Sequence, residues 1–163
     1  MASSSSEGDA VVVHVYDLSQ GMAAAMSPML LGRRIDLVPH TGVVLRAREF
    51  FYGGGIVSMP PHRVVERFGM RPNEALVLGR TRRSDAEVRT FLAEVRPRFT
   101  PERYDLLRHN CNTFSSAFCM FLIDIPVPRR IMEIPGEPRR AFRHMRHRNA
   151  SRRCARPPTR LPR

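Results

Sequence analysis

The run VVVHVY from Val11 to Tyr16 is β-branched or aromatic at nearly every position, the pattern of a buried strand. The Ala- and Met-rich segment from Asp17 to Gly32 has helical character, interrupted near Ser27-Pro28. Leu37 to Leu45 (LVPHTGVVL) predicts a second strand and Glu49 to Tyr52 a third. Gly53, Gly54 and Gly55 impose a turn, after which Ile56 to Ser58 continues as a short strand. Pro60, Pro61, Gly69 and Pro72 punctuate a loop that leads to a further strand, Ala75 to Leu78. The rhythm then changes to helical spacing. Ser84-Asp85-Ala86-Glu87 forms a capping box, with Ser84 as N-cap and Glu87 at N3. Val88, Phe91, Leu92 and Val95 follow at i, i+3, i+4 and i+7, one buried stripe. A second helix starts at Cys111 or Asn112, buries Phe114, Ala117, Phe118, Phe121 and Leu122, and stops before Pro126 and Pro128. Strands first and helices after predict an α+β domain.

Charge sharpens the domain limits. The 163 residues carry a net charge of +12, and all 27 basic residues are arginine. Residues 139–163 hold 10 of them and no acid, leaving 17 arginines against 15 acids in residues 1–138. The basic character therefore belongs to a tail. The chain divides into a polar leader (1–10), a domain (11–137) and an arginine-rich tail (138–163), leader and tail being expected to be disordered. The length allows one core. No apolar run approaches the ~20 residues of a membrane span, and the acidic N-terminus, without a basic stretch or a long apolar run, leads us to expect no secretion. Three cysteines at unrelated spacings make no disulfide framework, so a reducing compartment, cytoplasmic or nuclear, is expected.

Cys111 is the position richest in chemistry. Thiolates, not thiols, are nucleophiles, and a helix N-terminus offers both a positive dipole end and free N–H groups. Those N–H groups suit an oxyanion, and the flanking Asn110 and Asn112 are candidates for capping, orienting or oxyanion roles. The residues alone leave open whether Cys111 is a nucleophile or a small buried hydrophobe. A base would come from six histidines. His144 and His147 lie in the tail, His62 in the proline loop, His109 two residues from Cys111 and His14 within a strand. His40, before a β-branched strand, is the leading candidate. The glycine triplet reads equally as a tight turn or as a wall without side chains, beside which an extended substrate lies. Cys119 reads as packing. No C-x-x-C or H-E-x-x-H occurs, and neither metal nor cofactor is expected.

VYDLSQG (15–21), SPMLLG (27–32), HTGVV (40–44), EFFYGGGI (49–56), LGRT (78–81), YDLLRHNCNTF (104–114) and Ile125-Pro126 together resemble, in order, the PPPDE group of permuted papain-fold peptidases. The resemblance covers residues 11–135. It implies a permuted papain-like fold, a small antiparallel sheet packed against helices with the catalytic cysteine at a helix N-terminus. It further implies a dyad of His40 and Cys111, with the histidine preceding the cysteine. Pro39 stands where some relatives carry an aromatic residue and, with Phe51, Tyr52, Gly53, Gly54 and Gly55, is a candidate lining of the substrate groove.

The function implied is a thiol isopeptidase that removes ubiquitin or a ubiquitin-like modifier such as SUMO from lysines. The alternative is a thioesterase (a protein depalmitoylase) or a lipid acyltransferase using the same dyad. N-C-x-x-F is similar to the N-C-E-H-F motif of lecithin retinol acyltransferase-like proteins, but the second histidine of that group has no counterpart between His40 and His62. A third reading is a non-catalytic nucleic-acid binder acting through the tail, which could equally contact acidic surfaces. Pairing with a second copy stays open.

Overall fold

The computed structural model describes residues 8–21, 38–106 and 108–132. The helical expectation for the segment after Asp17 lies, from residue 22 onward, outside the described residues. So do residues 1–7 of the leader and the whole arginine-rich tail.

Five strands form one antiparallel sheet: β1 (Asp9–Asp17), β2 (Pro39–Leu45), β3 (Arg48–Tyr52), β4 (Ile56–Met59) and β5 (Glu74–Thr81), in the order β4-β3-β2-β1-β5. β1 starts two residues earlier than its apolar run, so Asp9 and Ala10, assigned above to the leader, open the first strand. Both pair with β5, Asp9 opposite Thr81 and Ala10 opposite Arg80. At the other end of β1, the Asp17 carboxylate accepts from the Ser19, Gly21 and Val38 N–H groups, tying the exit of β1 to the start of β2. That tie fixes the strand that carries His40.

The stretch read as a proline loop contains a helix, α1 (Pro61–Phe68). Pro61 sits at the first helical position, where a missing N–H costs nothing, so the prolines start this helix and do not break it. Gly69 closes α1 in the left-handed conformation at φ 65°, its N–H bonded to the Val65 carbonyl. α2 (Asp85–Val95) is capped as expected: the Ser84 hydroxyl accepts from the Glu87 N–H, and the Glu87 carboxylate accepts from the Ser84 N–H. α3 (Cys111–Ile123) begins at the cysteine, and a single turn, α4 (Arg129–Met132), follows the prolines that end it.

α3 lies across one face of the sheet. Phe114, Phe118, Cys119 and Leu122 from the helix meet Val11, Val13, Val15, Val43, Phe50 and Tyr52 from the strands in the main core. The other face carries a smaller cluster of Tyr16, Phe51 and Val64, covered by α1. Strand alternation assigns the residues to their faces. In β2, Thr41, Val43 and Leu45 turn toward α3, while His40 turns the other way to rest on Tyr16 and Phe51.

Candidate active site

The β2–β3 hairpin closes with a two-residue turn, and Leu45 pairs with Arg48 and Val43 with Phe50. Continuing the register would bring Thr41 opposite Tyr52, but the ladder between these strands stops at Val43. Thr41 gives its outward groups to α3 instead: its N–H is directed at the Cys111 sulfur, and its carbonyl accepts from the Ser115 hydroxyl at 3.3 Å. The helix start thus fills the gap where two strands part, with the nucleophile candidate in a ladder partner's place.

Two asparagines fasten this junction. The Asn110 side-chain oxygen accepts from the Asn112 and Thr113 N–H groups at 3.0 and 3.2 Å, while its Nδ2 donates to the Leu106 carbonyl. Asn112 is 3% exposed. Its Nδ2 donates to the Pro39 carbonyl at 3.1 Å and the Ile131 carbonyl at 3.3 Å, and its Oδ1 accepts from the Thr41 hydroxyl at 3.0 Å. These contacts bracket His40, since Pro39 and Thr41 are its chain neighbours. Asn112 Oδ1 also accepts from the Cys111 thiol at 3.6 Å, and the donors directed at the sulfur are backbone N–H groups and the Tyr104 hydroxyl.

Cys111 is 2% exposed. Burial pushes its thiol above the ordinary value, against the N–H groups of Thr41, Asn112 and Cys111 itself and the Tyr104 hydroxyl, all of which favour the thiolate. Burial outweighs these donors. Tyr104 is itself pushed up to about 12, first by burial and then by Cys111, so its hydroxyl remains a donor. The Tyr104 ring packs on Tyr52 at 5.0 Å.

Burial likewise holds the His40 imidazole below its ordinary value, with the charge of Glu49 opposing. Both members of the pair are therefore held toward their neutral forms. No hydrogen bond joins the two side chains among the described residues; what joins them is backbone, the thiol lying against the peptide that follows His40. The ring borders an apolar cavity of about 130 Å³ lined by Tyr16, Leu18, Phe51, Gly53, Val64, Phe68 and Met70.

The groove candidates separate. Phe51 and Gly53 line the cavity with His40. Tyr52 alternates to the other face, fully buried against Phe99, Tyr104 and His109, and its hydroxyl donates to the Thr100 carbonyl at 2.6 Å. Pro39 is buried and contributes its carbonyl to Asn112. Gly54 and Gly55, at φ 80° and 121°, form the open turn. Among the other described histidines, His62 is exposed on α1, His109 stacks on Phe99 with its Nε2 at the Arg98 carbonyl, and His14 faces Glu49. Sequence reasoning missed Tyr104 and Glu49. Alternation, which puts Glu49 on the same face of β3 as Phe51, was the available signal for the second, and the place of Tyr104 at the head of YDLLRHNCNTF was the signal for the first.

The sequence model of the PPPDE peptidase domain matches residues 9–147. Desumoylating isopeptidase 1 of Homo sapiens is 36% identical over 130 residues, covering 78% of this chain and 75% of that protein. The Xenopus laevis protein of the same name is 36% identical over 129 residues with the same coverage. The DeSI-like protein sdu1 of Schizosaccharomyces pombe is 29% identical over 125 residues, covering 72% of this chain and 60% of that protein.

Proposed function

Because this chain belongs to the PPPDE peptidase family, and is thereby a cysteine peptidase, we propose that it hydrolyses the isopeptide bond between a SUMO-like modifier and a lysine, with Cys111 as nucleophile and His40 as proton carrier. The observation that carries this reading is the seating of the Cys111 sulfur against the Thr41 N–H, one residue from His40, at the start of α3. The desumoylating relatives favour SUMO as the modifier over ubiquitin.

The resting pair is a thiol and a neutral imidazole. As the modifier's terminal carbonyl arrives, His40 takes the thiol proton while sulfur bonds to the carbonyl carbon. The oxygen that becomes negative meets the Cys111 N–H, the donor of the first helical turn that Asn110 does not engage; loss of one such donor typically costs about 3 kcal/mol in the transition state. His40 then gives its proton to the lysine nitrogen as the C–N bond breaks, leaving a thioester. Water attacks the thioester with His40 as base, the S–C bond breaks, and the thiol regains its proton. We assign the lysine to the cavity beside His40, whose apolar wall suits its methylene stem.

That same cavity is the one observation favouring the second reading, a thioesterase acting on fatty acylated cysteines. Its volume accommodates a few methylenes rather than a long acyl chain, which ranks this reading below the first. The deciding experiment gives the purified protein SUMO conjugates, ubiquitin conjugates and an acylated peptide, beside its Cys111→Ser form. Release of free SUMO and an unmodified lysine by the wild type alone is the expected result. Conjugates left intact by both forms would end the isopeptidase reading, and release of fatty acid without modifier cleavage would replace it.

A further inference from the structure

Beneath Gly42, on the face of the sheet that carries His40, lies a carboxylate wholly removed from solvent: Glu49 is 0% exposed. A Cβ on Gly42 would stand 2.2 Å from Glu49 Oε1, so the glycine is there to admit this side chain, not to make a turn. The Tyr16 hydroxyl donates to Oε1 at 2.8 Å and lies 3.0 Å from Oε2, and His14 Nδ1 lies 3.0 Å from Oε2. Among the described residues, no arginine is a hydrogen-bond partner of Glu49. The Tyr16 ring that holds the carboxylate also packs on the His40 ring, with centroids 5.9 Å apart. Burying a carboxylate is costly unless its charge is used or compensated, and the core on this face would be satisfied by an apolar residue.

We propose that Glu49 is the positioning residue of the dyad: held by Tyr16 and His14 behind His40, its negative charge stabilises the imidazolium that forms when Cys111 gives up its proton. This deepens the isopeptidase reading and rests on it for the reaction, but not for the coupling itself. Imidazolium formation in a buried site is unfavourable without a nearby anion. As the S–C bond forms, the negative charge passes to the carbonyl oxygen at the helix start, while Glu49 supplies a fixed anion on the His40 side without touching substrate. The titratable groups facing it are His14 and Tyr16 from β1 and His40 from β2, while β4 and α1 bring Val57, Met59 and Val64 to this side.

The test is an NMR titration of the His40 ring in the wild type, Glu49→Gln and Glu49→Asp, read beside the pH profile of conjugate cleavage. Glu49→Gln keeps length and an acceptor for Tyr16 but removes the charge. Its His40 midpoint falls by on the order of one pH unit, the acid limb of kcat/KM moves down with it, and the plateau drops about tenfold. Glu49→Asp, with its charge drawn back by one methylene, falls between. A merely steric role would instead rank the variants by lost volume, Asp worse than Gln, with His40 unmoved. An unmoved His40 midpoint in Glu49→Gln overturns the proposal. If that variant does not fold, Glu49→Asp is read alone against the wild type, and an unmoved midpoint there overturns it equally. Because the titration needs no substrate, a protein that cleaves no conjugate but shows the midpoint shift loses the isopeptidase reading and keeps this one.

Discussion

On the α3 side of the sheet, aromatic rings meet ring to ring. Phe50 packs edge-on to Phe118 at 5.2 Å, Tyr52 to Phe99 at 5.1 Å and Phe99 to Phe114 at 5.3 Å, while Phe91 stacks on Phe121 at 4.3 Å. On the other side, Tyr16, Phe51 and Val64 share their space with a buried carboxylate, an imidazole and a cavity. The first arrangement gains from every ring it buries. The second holds polar groups that an apolar core would exclude, and stability is drawn from the first face to sustain it. Cys111 lies on the boundary, its helix belonging to one face and His40 to the other.

Substitutions separate the two faces, beginning with the largest effect. Cys111→Ala abolishes conjugate cleavage, a loss on the order of 10⁴-fold, and leaves the buried Thr41 N–H without its sulfur partner at a cost of about 1–3 kcal/mol; joint measurement of rate and unfolding checks both halves. Phe118→Ala, which empties the centre of the aromatic face, costs about 3–5 kcal/mol by denaturant unfolding. Phe51→Ala on the other face costs less stability yet raises KM, because it removes a wall of the cavity beside His40. Equal destabilisation by the two would contradict the division of labour. Asn112→Ala leaves the Pro39 and Ile131 carbonyls and the Thr41 hydroxyl without their partner and costs about 3 kcal/mol, with activity falling alongside.

A pH series sharpens the same contrast. Cys111 is pushed up, and Cys119 is pushed up to about 12, both by burial. Above the ordinary thiol value near ~8.5 the unfolded chain loses protons that the native state retains, so stability falls as pH rises. Cys119→Ala removes the Cys119 share of that decline. His40 is held below its ordinary value. Below about pH 6.5 the unfolded chain binds a proton that the native state resists, so stability also falls as pH drops. Thermal melts across this range give a maximum between the two limits. The smallest effect concerns the hairpin turn: Ala47 sits at φ 60°, and Ala47→Gly raises stability by about 0.5–1 kcal/mol in the same assay.

Local signals carried much of the architecture. The Ser84 capping box gave the start of α2, and the strand pairs around Gly53 to Gly55 gave the hairpins, because both depend on neighbours within a few residues. α1 was hidden because Pro60 and Pro61 serve a helix start as readily as they break one, and the cap at Gly69 needed to be read with them. Phe51 and Tyr52 were grouped together although alternation sends them to opposite faces; applying the period of two would have kept Phe51 and dropped Tyr52 from the groove. His40 and Cys111 were legible as chemistry, but not their burial, since desolvation depends on everything packed around them. Glu49 lay furthest from reach. Its role depends on a glycine seven positions earlier and a tyrosine on another strand, contacts that only the folded sheet creates.

The place taken by the Cys111 sulfur beside Thr41 has a consequence for motion. Separating α3 from the hairpin would strip the Thr41 peptide of both its partners at once, so local breathing at this seam is disfavoured. The Cys111 sulfur therefore rides with slowly exchanging backbone, and room for adjustment is left to the glycine turn and the far wall of the cavity.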